Sequence, residues 1–247
     1  MATETYVHEV TYQQHDLAGW VHRNRLDAIA GALARHVGPV VGSWADFGCS
    51  NGFIIEQIVA QKRHAFGRIV GFDHVPELLD HARAKQIREA EFQSFDLNRV
   101  QPAAEQFDLV TSFETLEHVG DIHNAIANIV GRVRVGGRIL FAVPNETGLP
   151  GLTKLVGRAC LRRKPYDDFF VDGGRARYIV SLLLGRRMDG FRPRGMSGYG
   201  PHLGFDYRTM EDHIQEQYLK PGVLRRLARE FTPLGMNVLL AYEKRAG

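Results

Sequence analysis

Apolar positions change period repeatedly along the chain, and each change marks an element. After Asp16, a candidate helix cap, Leu17, Val21, Ile29, Ala30, Leu33 and Val37 fall mostly on one face of a helix that Gly38-Pro39 stops. Val40 to Phe47 then reads as a strand, Gly48 to Gly52 as a tight turn, and Ile54, Ile55, Ile58 and Val59 as a helical stripe. Arg68 to Asp73 predicts a second strand, and Pro76 opens the next helix at its first turn. Glu91 to Asp96 and Phe107 to Phe113 read as two more strands. Asp121 caps the clearest helix, in which Ile122, Ala125, Ile126, Ile129, Val130 and Val133 recur at helical spacing. Gly136-Gly137 is expected to end it. Ile139 to Val143 is a continuous apolar run, as a strand covered on both faces requires. The alternation predicts an α/β fold: a parallel sheet with helices on both faces.

Between residues 145 and 205 the rhythm breaks. Eleven Lys or Arg stand against four Asp between 151 and 200, a net +7 in a chain whose total is +3, so the remainder carries −4. That asymmetry suggests a cap inserted over the carboxyl edge of the sheet. After it Tyr207 to Tyr218 reads as helical, and Leu224 to Phe231 and Met236 to Glu243 as a closing pair of strands. The expected organisation is one domain over 1–247. It comprises an arm and helix (1–37), a binding core (38–145), the basic cap (146–205) and a C-terminal helix with closing strands (206–247).

Composition narrows the classes. Hydrophobic residues at 44% and charged residues at 24% of 247 are a globular balance, and 26 glycines imply many tight turns. A total of +3 is too small to imply nucleic-acid binding by itself. Two cysteines, Cys49 and Cys160, cannot make a disulfide framework, which favours a reducing compartment. The first residues, Met1-Ala2-Thr3-Glu4-Thr5, lack the basic-then-apolar pattern of a signal peptide. The longest apolar stretch, Tyr178 to Leu184, is far short of the ~20 residues that span a bilayer. A cytoplasmic protein, with peripheral membrane contact as its variant, is the expectation.

The first strand runs into Asp46-Phe47-Gly48-Cys49-Ser50-Asn51-Gly52, directly before a helix. Small residues there let the backbone approach a ligand, and the helix start offers free N–H groups. A dinucleotide fingerprint would want glycine at 48, 50 and 53, yet 50 is Ser and 53 is Phe. Asp46 would repel a pyrophosphate and favour a ligand bearing an ammonium group. S-adenosylmethionine has one, together with a carboxylate for the helix end and no phosphate. Asp73 closes the second strand, where a carboxylate can take both ribose hydroxyls, with His74 beside it. Asp96 is placed to accept from an adenine amino group while Leu97 covers the ring. Each acid alone is as readily a turn former or helix cap; three at successive strand ends point to one cradle.

These segments resemble the class I S-adenosylmethionine-dependent methyltransferases over roughly 40–145, and more weakly near 200–245. The resemblance rests on Asp46 to Gly52, Asp73, Asp96, Phe107-Asp-Leu-Val-Thr-Ser-Phe-Glu-Thr-Leu-Glu-His118 and Val135-Gly-Gly-Arg-Ile-Leu-Phe-Ala-Val-Pro-Asn145. It implies a Rossmann-like sheet of seven strands, the last antiparallel. It also implies a loop (Asp46, Gly48, Cys49, Ser50, Gly52) at the methionine end, Asp73 with His74 on ribose, and Asp96 with Leu97 at adenine. Ser50 departs from the glycine common in the family.

Methyl transfer to a hydroxyl needs alignment and removal of a proton. Glu114, Glu117 and His118 follow the fourth strand, and in a helical turn positions i, i+3 and i+4 share a face. Two carboxylates and an imidazole there need a cation, an Arg or a shared proton to join them. A divalent metal would do so, and would lower the pKa of a bound hydroxyl. The Glu-x-x-Glu-His string is similar to that of ubiquinone-pathway O-methyltransferases and of small-RNA 2′-O-methyltransferases. The RNA enzymes imply a metal site completed by a later histidine, for which His202 is the candidate. The competing readings are that Glu117 and His118 merely cap the turn, or that His118 is a metal-free base. His202 and Tyr199 are the candidate acceptor contacts.

The basic segment has three readings: a solvated cap, a holder of anionic acceptors through forks such as Arg162-Arg163 or Arg186-Arg187, or a surface for a membrane or lipid tail. Its aromatics (Tyr166, Phe169, Phe170, Phe191, Tyr199) also keep RNA open. The expected function is S-adenosylmethionine-dependent O-methylation of a small or lipid-linked metabolite. Metal-dependent RNA 2′-O-methylation and a non-catalytic cofactor-binding or membrane-docking role stand as alternatives.

Overall fold

The structure, a computed structural model, describes residue 12 and residues 17–102, 105–160, 174–192 and 202–246. Helix α1 (Leu17–His36) leads into β1 (Val40–Phe47), α2 (Phe53–Ala60), β2 (Ala65–Asp73), α3 (Pro76–Ala84) and β3 (Ala90–Ser94). β4 (Phe107–Phe113), α4 (Ile122–Arg132) and β5 (Val133–Pro144) complete the alternation. The cap contributes α5 (Gly148–Cys160) and α6 (Gly174–Leu183). α7 (Tyr207–Ile214), β6 (Leu224–Phe231) and β7 (Asn237–Lys244) follow. No described helix is long and apolar enough to cross a membrane.

The sheet has seven strands in the order β3-β2-β1-β4-β5-β7-β6. All pairs are parallel except those of β7, which runs antiparallel to both β5 and β6. Alternate residues of one strand feed two separate cores. In β1, Trp44 packs with Ile29, Leu33 and Ile55 on one face. Ala45 and Phe47 pack with Phe72, Ile126 and Ile129 on the other. Apolar demand on both faces is why central β5 carries the unbroken apolar run Ile139 to Val143. α4 begins as its cap predicts, with Asp121 accepting from Asn124 N.

Several boundaries differ from expectation. α4 ends at Arg132, because Val133 is already extended, and Gly136-Gly137 fall inside β5. Register there slips between Phe107 and Leu109, so the glycines serve a bulge instead of a helix stop. β3 ends at Ser94, leaving Asp96 in the loop beyond it.

The chain leaves β1 toward β2 on one side and later returns as β4 on the other. This reversal opens a crevice at the carboxyl ends of β1 and β4, where open α/β sheets take their ligands.

Candidate active site

The loop after β1 is folded back onto β2: Gly48 N and Cys49 N both donate to Phe72 O, at 2.7 and 3.0 Å. Gly48 has φ +82°, and a Cβ on it would lie 2.0 Å from Thr115 Oγ1, so only glycine fits between the two loops. Ser50 itself sits at φ +52°. Its N–H donates to Asp73 Oδ2 at 2.9 Å, while Val75 N donates to Asp73 Oδ1 at 3.0 Å. Burial pushes the Asp73 carboxyl up, but hydrogen bonds from His74 and from the Val75 and Ser50 amides more than offset it and hold the pKa below its ordinary value. An ionised acceptor thus stands at the tip of β2.

Asp73 lines a cavity of about 320 Å³ that runs from Gly48 and Ser50 past His74 and Leu97 to Glu114, Thr115 and His118. Asp46 and Cys49 reach a second, smaller space of about 40 Å³ beside the same loop, shared with Tyr12, Arg25 and Asn51. Asp46 is buried and accepts from Thr111 Oγ1 at 2.6 Å, which in turn accepts from Trp44 Nε1 at 2.8 Å. Burial raises its pKa to about 7, against the Thr111 hydrogen bond and with help from the Asp73 charge. Gly52 starts α2 in the left-handed region. Cys49 is buried, and burial pushes its thiol up, which leaves it no thiolate chemistry.

Asp96 departs from the three-acid cradle. It lines neither cavity; Oδ1 accepts from Asn98 N at 2.9 Å and the side chain is partly exposed. It makes the Asx turn that such residues commonly form, and its neighbour Leu97 reaches the cavity instead.

The reacting end also divides differently from the sequence expectation. Glu114 has φ +53°, so the chain bends there and the string 114–118 is no continuous helical turn. Its carboxylate is taken by Arg25 Nη1 and by Asn237 Nδ2, at 2.5 and 2.6 Å. Glu114 therefore leaves the set of four first drawn as a metal site. Glu117, His118 and His202 stay together, with one ligand atom from each within 4.8 Å of the others. His118 Nε2 lies 2.9 Å from His202 Nε2. Glu117 is fully buried and neither carboxylate oxygen has a hydrogen-bond partner among the described residues. Burial, then the Glu114 charge, pushes its pKa well above the ordinary value, opposed by Arg25 and Lys154. A buried carboxylate without donors is costly, and two imidazole nitrogens at this distance must share a proton or a cation. One carboxylate and two imidazoles are a donor set that suits a divalent transition metal, so the residues fit such an ion. Tyr199 lies outside the described residues.

Several partners escaped the sequence reading. Arg25 is buried 89 residues away in sequence from Glu114, and its Nη2 meets Tyr12 OH at 2.9 Å. Glu146, two residues past β5, stands 3.5 Å from His202 Nδ1 and 3.4 Å from Lys154 Nζ. Glu146 falls just beyond the quoted Val135–Asn145 segment, at a strand tip where acids had already proved informative; Arg25 carried no local signal.

Sheet order, the switch-point crevice and an acid that accepts from the glycine loop are the architecture of the class I methyltransferase type of α/β fold. A family model described as a methyltransferase domain matches residues 11–190, and the chain belongs to that family. Ubiquinone biosynthesis O-methyltransferase from Coxiella burnetii is 32% identical over 117 residues, 45% of this chain and 47% of that protein. The Salmonella arizonae protein of the same name is 28% identical over 134 residues, 54% of this chain and 55% of that one. The chain thus spans about half the length of the curated relatives it matches. Among solved structures, magnesium protoporphyrin IX methyltransferase from Synechocystis PCC 6803 aligns with TM-score 0.59 at 14% identity, covering 96% of this chain and 92% of that one. N-methyltransferase NodS from Bradyrhizobium japonicum, in complex with S-adenosyl-L-homocysteine, gives 0.55 at 16%, covering 96% of each. These two likenesses bear on the fold.

Proposed function

We propose that the protein transfers the methyl group of S-adenosylmethionine to a hydroxyl oxygen of a small or lipid-linked acceptor. The carrying observation is the cavity itself: an ionised Asp73 at one end and, at the other, His118 paired with His202 beside a Glu117 that has no hydrogen-bond partner among the described residues. Asp73 and His74 would take the ribose hydroxyls and Leu97 the adenine face. Arg25 and the start of α2 favour the cofactor carboxylate; Asp46, once ionised, favours its ammonium group. Asp96 keeps a place at the adenine edge only if its turn opens.

In the reaction the sulfonium C–S bond breaks as the O–C bond forms, the electron pair stays on sulfur, and the acceptor proton leaves to a base. His118 Nε2 faces the group able to relay that proton, His202, with Glu146 beyond it. A divalent cation would be held by Glu117, His118 and His202, and when bound it makes the acceptor hydroxyl more acidic.

The cap supports a lipid-linked acceptor. Leu149 and Val156 of α5, and Leu183 with the adjoining Leu184 at the end of α6, are exposed, and Arg175, Arg177 and Arg186 are exposed on or just after α6. Aliphatic side chains beside cations suit an anionic lipid surface. The metal-fit cluster keeps RNA 2′-O-methylation as a second reading. Activity lost to a chelator, together with a steep salt dependence of RNA binding, would favour it.

The test is calorimetry with S-adenosylhomocysteine on the parent and Asp73→Ala, followed by label transfer from S-adenosylmethionine to a catechol probe. Loss of about 2 kcal/mol of binding is expected from Asp73→Ala. Equal affinity would overturn the ribose assignment, and binding without transfer to any acceptor would favour a non-catalytic role.

A further inference from the structure

Among the described residues of the cap, one arginine joins the two turns that carry the histidines. Arg192 follows the short 3-10 turn Asp189–Phe191 and reaches across to the segment after β4. Its Nη2 donates to Glu117 O at 3.1 Å and to Val119 O. Those carbonyls flank His118, so the guanidinium braces the main chain on both sides of the imidazole.

The same residue also supports the other imidazole. The turn carrying His202 closes with Phe205 N donating to His202 O at 2.9 Å. Two residues after His202, Gly204 (φ +73°) lies flat against the Arg192 main chain. A Cβ there would sit 2.2 Å from Arg192 N and 2.6 Å from its Cα. One turn is therefore referenced to the Arg192 guanidinium and the other to its backbone. Arg192 thus touches both turns, whose histidine Nε2 atoms stand 2.9 Å apart.

Stability alone is a poor explanation for this arrangement. Arg192 is partly buried and its Nη1 has no partner among the described residues, an expensive state for a guanidinium. An apolar side chain would fill the space at lower cost, but it would not fork across two carbonyls on either side of His118.

We propose that Arg192 is the positioning residue of the His118–His202 pair, touching neither cofactor nor acceptor and acting through the two turns it joins. Its importance for catalysis rests on the methyl-transfer reading, whereas the bracing itself does not. The experiment is long-range proton–nitrogen NMR of the imidazole rings, with His118→Gln and His202→Gln to assign the signals. With divalent metal removed by chelator, it is run on S-adenosylhomocysteine-saturated parent, on Arg192→Ala, and on Arg192→Ala with guanidinium ion added.

The parent should show both rings as fixed tautomers, one bearing the proton at Nε2 and the other bare there. Arg192→Ala should average both rings while the cofactor affinity stays within about twofold of the parent, and guanidinium should restore the fixed pattern. If Arg192→Ala does not fold, Arg192→Lys carries the test, because one ammonium replaces a planar fork and the same averaging is expected. Parent-like tautomers in a folded variant would overturn the proposal. So would a loss of cofactor affinity that parallels the imidazole change, since that is the mark of a general packing role. Failure of the parent itself to bind S-adenosylhomocysteine would instead refute the methyl-transfer reading and leave the tautomer result to stand on its own.

Discussion

Asp46 offers the sharpest quantitative test, because its burial sets a pH dependence whose sign can be worked out. In the folded protein its pKa rises from the ordinary 3.8 to about 7, chiefly through burial. The native state therefore holds a proton that the unfolded chain has already released. Stability from this group is fully present below about pH 4 and falls as pH rises toward 7, levelling off above. The displacement from 3.8 to about 7 corresponds to about 4 kcal/mol, an upper figure because local relaxation and water entry soften it. Asp46→Asn removes the ionisation while its amide oxygen can still accept from Thr111. Urea unfolding of the ligand-free parent and variant at about pH 5 and about pH 8 isolates the effect, since the Glu117 contribution of the same sign cancels in the difference. The variant should gain roughly 2–3 kcal/mol on the parent between those pH values, because the part of the titration below about pH 5 falls outside the window. Cofactor binding should move the other way: an ammonium group prefers the ionised form, so S-adenosylhomocysteine affinity of the parent rises with pH through about 7, and that of Asp46→Asn stays flat. Parallel pH profiles in both measurements would refute the placement of Asp46 as a buried acid facing the cofactor loop.

Gly48→Ala should lose most cofactor affinity and about 1–3 kcal/mol of stability, because the added methyl meets Thr115 and the left-handed backbone disfavours it; calorimetry and urea unfolding read both. Glu114→Ala leaves the buried Arg25 guanidinium without its ion-pair partner and should cost about 3–5 kcal/mol, whereas the double variant with Arg25→Met should cost less than the two single effects added together. Asp121→Ala should cost about 1 kcal/mol through loss of the α4 cap, with cofactor affinity unchanged.

Much of the scaffold was legible along the chain. Burial on both sheet faces prints a continuous apolar run in β5 and apolar-rich segments at β1 and β4, and α4 carries its own cap and stripe. These are local consequences of period and capping, so neighbouring residues suffice to reveal them. Asp73 was legible for a similar reason: a strand end followed by a loop restricts where its carboxylate can point. Tertiary structure alone decided which chemical groups meet. Glu114 and Glu117 are three residues apart, yet one bend at Glu114 sends the first to Arg25 and Asn237 and leaves the second with the histidines. Asp96, equivalent to Asp73 in the sequence pattern, spends its carboxylate on its own turn. Arg25, Glu146 and Arg192 join the site from 89, 56 and 75 residues away from their partners. Hydrogen bonds and burial are fixed by distances of a few ångströms in space, and such distances are set by how the helices and the cap pack on the sheet.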